Sequence, residues 1–263
     1  VKFGLIIIGD EIVQGNRTDA HFSVIKKILA ERGLRLAWVE YLCDDRAELV
    51  ARFEQSFQRS FAQNCPVLVT GGIGATPDDH TRQAAAQALG LPMALHPEAV
   101  KLIDAPVLKR GETDLNTATH QQRRQMANFV VGAQLIPNPF NGIAGFSIRQ
   151  HYFMPGFPVM AHPMVEWVLD TYYKDAFFKD NFTQRCRMVY DLQESQLTPL
   201  MEAIERDFAG VQTYSLPTLG HYGEVKRYSL ELGVKAEGDA VSQVDRAWED
   251  LLARVAQIGG KFS

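Results

Sequence analysis

Hydrophobic positions in the first third of this chain fall into short unbroken runs separated by stripes of helical spacing. Residues 3–8 (FGLIII) and 67–70 (VLVT) are continuous apolar runs, the pattern of strands buried on both faces of a parallel sheet. Residues 34–42 (LRLAWVEYL) alternate enough to give another strand. Phe22, Ile25, Ile28 and Leu29 make one face of a helix closed by Gly33. Leu49, Phe53, Phe57 and Phe61 recur every four residues on a second helix, and such an aromatic stripe reads as core packing. Residues 81–89 form an alanine-rich helix ended by Gly90. The βαβαβα order predicts parallel strands joined by right-handed crossovers.

Further along, the pattern predicts helices over 96–111 and 113–128, strands over 129–136 and 146–153, and a helix over 159–173. A composition shift near 177–182 predicts a boundary, giving domains 1–178 and 179–263. The second part reads β (185–192), α (195–208), β (210–216), β (225–236), α (240–258), a two-layer α+β arrangement. Its helices carry clear stripes, Leu197, Leu200, Met201, Ile204 and Phe208 on one and Val241, Val244, Trp248, Leu251, Val255 and Ile258 on the other. Gly220-His221-Tyr222-Gly223 is read as the loop joining the last two strands, with His221 a loop residue.

The candidate chemistry sits just beyond strand ends, where open α/β sheets bind ligands. Residues 67–81 read VLVTGGIGATPDDHT: a strand, the glycines Gly71, Gly72 and Gly74, then Thr76, Pro77, Asp78 and Asp79 opening a helix. Glycines let backbone N–H groups approach an anion, and the helix start points its positive end at the same place. Two carboxylates there would repel phosphate, which makes sense where a divalent metal or a general base is also needed. The competing reading is purely local: a tight turn with Asp78 as N-cap and Asp79 in the first helical turn. The stretch lacks the Lys-Ser/Thr ending of a P-loop and the third glycine of a dinucleotide fingerprint. Gly9-Asp10-Glu11 follows the first strand, so Asp10 is a site candidate by position or a turn aspartate bonded to its own backbone. Of the acidic loops, those after residues 3–8 and 67–70 are expected to share an edge of the sheet. Arg123 and Arg124 could add to a phosphate pocket or simply face water.

Net charge −4 with no basic stripe argues against a nucleic-acid partner. Cys43, Cys65 and Cys186, an odd number without CxxC spacing, read as free thiols of a reducing compartment. No apolar run approaches the ~20 residues of a membrane helix, and the first residues read as a strand instead of a signal peptide. A cytoplasmic protein without membrane partners is the expectation.

Together, Gly9-Asp10-Glu11-Ile12 with Gly15 and Asp19, and Thr70 through Thr81, resemble the molybdopterin-binding (MoCF biosynthesis) domain family. They are most similar to its version in competence/damage-inducible CinA-type proteins, and Arg124-Gln125, Pro137-Asn138-Pro139 and Pro155-Gly156-Phe157-Pro158 follow in that family's order. The resemblance covers essentially the whole chain and implies a three-layer α/β fold followed by the small α+β domain. It also implies homo-oligomers and a phosphate-bearing ligand, either a pterin (molybdopterin) or an adenine dinucleotide. On this likeness the ligand would be bound by Gly9, Asp10, Glu11, Thr70, Gly71, Gly72, Gly74, Thr76, Thr81, Asn138, Gly142, Pro155 and Gly156. Asp78 and Asp79 would be catalytic and, with Asp10, would hold a divalent metal (Mg, Mn or Co). The implied activities are metal-dependent hydrolysis of a nucleotide pyrophosphate of ADP-ribose or FAD type, molybdopterin binding without turnover, or adenylylation of molybdopterin. Three departures stand out. Residues 141–145 read NGIAG where the family usually has Gly-Thr-Ala-Pro-Gly, Met160 replaces an acidic residue, and Ala75 replaces a proline. Full-length CinA-type proteins also carry a nicotinamide-nucleotide amidase domain, which is not expected within these 263 residues.

Overall fold

In the computed structural model, which describes residues 1–111, 114–179, 181–222 and 225–263, the chain divides into two compact units, Val1–Phe178 and Lys179–Ser263. The first runs β1 (Lys2–Ile8), α1 (Asp10–Val13), α2 (Phe22–Ala30), β2 (Arg35–Leu42), α3 (Arg46–Gln63) and β3 (Val67–Thr70). It continues through α4 (Thr81–Leu89), β4 (Met93–Leu95), α5 (Pro97–Lys109), α6 (Ala118–Arg124) and β5 (Asn128–Val130). It ends with β6 (Gln134–Ile136), β7 (Gly145–Ile148), β8 (His151–Met154) and α7 (Pro158–Tyr172).

The main sheet has the order β2-β1-β3-β8-β7-β6. β2, β1, β3 and β8 are mutually parallel, and β7 and β6 are antiparallel additions. The unbroken apolar run of β1 is explained by burial on both faces, because successive side chains point oppositely. Phe3, Leu5 and Ile7 join Leu68 of β3 in a cluster with Ile25 and Leu29 of α2 and Val165 and Leu169 of α7. Ile6 and Ile8 join Val67 and Val69 in a cluster with Leu49 and Phe53 of α3 and Ala84 and Ala85 of α4. The unit is therefore helix, sheet, helix in three layers, as expected. Gly4 lets the Trp38 ring lie against β1; a Cβ there would come within 2.2 Å of it.

Several expectations change in detail. The run 129–136 is two strands: Gly132, at φ 88°, turns the chain, so β5 pairs with the unanticipated β4 and only β6 reaches the main sheet. The run 146–153 is a hairpin, because Arg149 and Gln150 take φ of 49° and 61° and reverse the chain between β7 and β8. Two positive φ values without glycine or asparagine carry little turn signal in sequence. The helix expected from Thr113 is the shorter α6, capped by Thr117; Thr113 itself lies outside the described residues. Leu49 and Phe53 are fully buried but Phe61 is 91% exposed. Four-residue steps advance about 40° beyond a full helical turn, so three steps rotate Phe61 away from the sheet.

The second unit runs β9 (Phe182–Tyr190), α8 (Glu194–Asp207), β10 (Val211–Tyr222), β11 (Val225–Glu237), α9 (Val244–Gln257) and β12 (Lys261–Phe262). Its antiparallel sheet has the order β10-β11-β9-β12. Val189, Leu230, Leu232 and Val234 of the sheet pack with Leu197 and Ile204 of α8 and Leu251 and Val255 of α9. This is the two-layer α+β arrangement expected. Gly220-His221-Tyr222 is part of β10 and not a loop, while Gly223 lies outside the described residues. Across the sheet, Tyr214 of β10 stands opposite Gly233, and its ring occupies the space a side chain there would fill. Among the described residues, no helix is long and apolar enough to cross a membrane.

Candidate functional site

Because β2, β1, β3 and β8 are parallel neighbours, the loops following all four emerge at one edge of the sheet. This edge gathers Asp10 and Glu11 after β1, Cys43-Asp44-Asp45 after β2, the glycine turn after β3, and Pro155-Gly156-Phe157 after β8. The loop after β2 thus stands with the two acidic loops expected there.

The first two loops are bolted together by reciprocal bonds. The Asp44 N–H donates to Asp10 Oδ1 at 2.9 Å and the Asp10 N–H to Asp44 Oδ2 at 3.2 Å. Asp44 is the residue sequence reasoning passed over. Its neighbour Asp45 is the helix cap, accepting the Glu48 N–H at 2.8 Å. The available signal was position, just past the end of a strand adjacent to β1. Burial is the largest influence raising the Asp44 carboxyl above the ordinary range; the Asp10 N–H opposes it, and the charges of Asp10, Glu11 and Asp78 add to it. The edge thus concentrates negative charge.

The glycine turn meets this pair. A Cβ on Gly72 would come 3.2 Å from Asp44 Oδ1 and 2.2 Å from Thr81 Oγ1. Gly71, at φ 105°, leaves a side chain no room, since a Cβ would sit 2.1 Å from the Ile8 carbonyl oxygen. Gly156 lies against Gly71. Its carbonyl is 2.9 Å from His21 Nε2, and His21, 2% exposed, packs edge-on to His162. Thr81 and Thr70 are fully buried beneath the turn; the Thr81 hydroxyl donates to the Gly71 carbonyl at 3.0 Å, and Thr70 Oγ1 has no partner among the described residues.

Not every N–H of the glycine turn is free. Gly71 N–H donates to the Met154 carbonyl and Gly74 N–H to Asp79 Oδ1, whereas those of Gly72 and Ile73 have no partner among the described residues. Asp79 is engaged by its own loop: Oδ1 takes Gly74 N–H at 2.9 Å, and Oδ2 takes Thr76 N–H at 2.8 Å and the Thr76 hydroxyl. Asp78 is exposed. Glu11 lies at the mouth, 3.9 Å from the Arg17 guanidinium, and Gly9 hydrogen bonds to Leu42 at the end of β2.

The Asn138–Gly142 loop is organised by buried Asn138, whose Nδ2 donates to Asn141 Oδ1 at 2.9 Å and to the Ile143 carbonyl at 3.0 Å. Gly142 N–H closes the loop onto the Asn138 carbonyl. Two of the unusual residues touch here, Asn141 Nδ2 lying 3.6 Å from Met160 Sδ. Arg124 is not in this region; it makes a bidentate pair with Asp104, which also meets His120 Nε2 at 2.7 Å.

Among the described residues, no three His, Cys, Asp or Glu side chains form a metal-holding group. The oxygen chemistry of the Asp10–Asp44 pair nevertheless suits a hard divalent cation, since Mg²⁺ is commonly held by one or two carboxylates with the rest supplied by waters and substrate phosphates. A cation would also offset the charges of Asp10, Glu11 and Asp78 that add to the rise of Asp44.

Residues 4–174 match a family described as a probable molybdopterin binding domain. A CinA-like protein of Citrifermentans bemidjiense is 33% identical over 170 residues, covering 63% of this chain and 39% of the relative. A protein of Alkaliphilus oremlandii, named as competence-damage inducible, is 30% identical over 247 residues, covering 92% of this chain and 55% of the relative. The chain therefore spans about two-fifths to just over half of these relatives' lengths. A CinA structure from Thermoplasma acidophilum, described as of unknown function, superposes with TM-score 0.54 at 21% identity, covering 65% of this chain and 98% of that one. At that identity the likeness speaks to the fold.

Proposed function

We propose, from the premise that this chain belongs to the molybdopterin-binding-domain family, that its four-loop edge binds a phosphate-bearing small molecule and hydrolyses a nucleotide pyrophosphate of ADP-ribose or FAD type. The observation that carries this reading is the meeting of a glycine turn, with the unpartnered Gly72 and Ile73 N–H groups, and a pair of interlocked carboxylates. Phosphate alone would be repelled by Asp10 and Asp44; phosphate with a divalent cation would not. Asp10 and Asp44, with Asp78 at the mouth, would hold Mg²⁺, Mn²⁺ or Co²⁺, which when bound offsets phosphate charge and acidifies water.

The chain's own groups then have separate tasks. The Gly72 and Ile73 N–H groups and the start of α4 would orient phosphoryl oxygens and stabilise charge that develops on them. Asp79 positions: by holding Gly74 and Thr76 it fixes the direction of those amides. Thr81 supports the turn from below. No nucleophilic side chain is required, because water attacks phosphorus and the mononucleotide leaves.

The deciding experiment is chromatographic assay of folded protein with ADP-ribose, FAD, coenzyme A and ATP, each with Mg²⁺, Mn²⁺ or Co²⁺ and with chelator. Metal-dependent release of a mononucleotide is expected from ADP-ribose or FAD. Its absence with every substrate refutes the hydrolase reading.

A second reading, molybdopterin binding without turnover, is favoured by Met160 standing beside Asn141, which puts a thioether where relatives usually carry a carboxylate. It predicts saturable molybdopterin binding and no product. Self-association belongs to either reading and is tested by light scattering.

A further inference from the structure

Arg82, in the first turn of α4, is 3% exposed, yet no carboxylate among the described residues pairs with it. Its Nη1 donates to the carbonyls of Gln125 and, at 3.4 Å, Asn128, and its Nη2 donates to that of Gly74. Nε has no partner among the described residues. Buried guanidinium groups are normally matched by a counter-charge, because carbonyl dipoles only partly replace lost hydration. Burial depresses this one to about 10, with the more distant Asp79 opposing the shift.

The side chain lines a cavity of about 290 Å³ between the glycine loop and residues 122–128. Arg46, His80, Gln83 and Gln122 also line it. Gln83 Oε1 is buried there without a partner among the described residues, and half a turn of that amide would present its NH₂ instead. Asp79 is the lining carboxylate, and both its oxygens are already engaged by its own loop. The lining thus combines a buried unmatched cation, a second arginine, a histidine and amide donors, with its acidic group tied into its own loop. At ~30 Å³ per water, the space holds a compact ion with its hydration, and the polar lining disfavours an apolar ligand.

We propose that this cavity binds a tetrahedral oxyanion, phosphate or a phosphomonoester, through Arg46 and His80 with the buried charge of Arg82 beneath them. It is separate from the unpartnered amides of Gly72 and Ile73, and the inference does not depend on pyrophosphate hydrolysis. Because Arg82 also holds the Gly74 carbonyl, filling the cavity would stiffen the glycine loop from behind.

The test is titration of inorganic phosphate, and in parallel ribose 5-phosphate, into ¹⁵N-labelled full chain at low ionic strength, following the Arg82 Nε–Hε resonance. A saturable shift of that resonance with the side-chain amides of Gln122 and Gln125 is expected. Binding should weaken about tenfold in Arg46→Gln and again in Arg46→Gln/His80→Gln, as for loss of charge-assisted bonds. Tighter response to one probe identifies free ion or monoester. Shifts confined to the backbone amides of residues 71–74, unchanged affinity in the double variant, or an equal response to chloride would each overturn the proposal. These surface-side variants keep the test decisive even where Arg82→Gln fails to fold.

Discussion

Acidification below neutral pH should destabilise the first unit through one histidine. His151 opens β8 and is fully buried. Its Nδ1 lies 3.0 Å from the Arg149 carbonyl and must donate to it, so Nε2, 2.8 Å from Ser56 Oγ, accepts the hydroxyl proton. The neutral ring is thereby satisfied at both nitrogens, with the rings of Phe57 and Phe153 beside it. Burial lowers its pKa from 6.5 to about 4, the Arg149 carbonyl only partly opposing the shift. A histidine depressed in the folded state protonates first in the unfolded chain. Stability is therefore complete above 6.5, falls as pH drops towards about 4, and levels off below. At 1.36 kcal/mol per pH unit this amounts to about 3 kcal/mol.

Urea unfolding of a Trp248→Phe background, where Trp38 and Trp167 report on the first unit, would be measured from pH 7 down to 4. His151→Gln retains a donor and an acceptor but cannot titrate. It should be less stable than the parent at pH 7 and lose most of that deficit by pH 4, since carboxylate titration is common to both proteins. Parallel pH curves for the two, or an imidazole NMR titration of His151 centred near 6.5, would refute the reasoning.

Gly71→Ala forces a left-handed φ and a clash with the Ile8 carbonyl, and should cost about 2 kcal/mol or more in thermal unfolding along with ligand binding. Asp44→Asn keeps an acceptor for the Asp10 N–H while removing a crowded charge. The metal-free protein should gain up to about 1 kcal/mol in thermal melts, while the Mn²⁺ concentration needed for half-maximal binding rises; equal Mn²⁺ affinity would remove Asp44 from the metal reading. In the second unit, Tyr214→Ala uncovers Gly233 and should destabilise by about 1 kcal/mol, read by calorimetry, whereas Tyr214→Phe should lose much less.

Legibility in the sequence followed how local the cause was. The strands β1 and β3, the glycine turn and the helix stripes declare themselves because burial on two faces and 3.6-residue spacing leave direct marks. The β7–β8 hairpin hid because Arg149 and Gln150 lack turn chemistry, and their conformation is imposed by the strands they join. At the site, the glycines and the acidic loops were visible, but the roles within them were not. Whether Asp79 faces a ligand or its own loop is decided by hydrogen bonds to Gly74 and Thr76. Asp44 and Asp10 are 34 positions apart, and only the parallel pairing of β1 with β2 makes them partners. Arg82 carries no mark of its own within the alanine-rich helix, and its burial depends on residues 125–128 folding over it.

The parity of β1 has a thermodynamic consequence. Phe3, Leu5 and Ile7 serve one apolar cluster and Ile6 and Ile8 the other, so the two are built on opposite sides of a single wall. Melting either helical layer would leave the other face of the same strands bare to water, and neither half has a sheet of its own. The first unit should accordingly unfold cooperatively, in one transition, with no half-molten species in which α2 and α7 survive without α3 and α4.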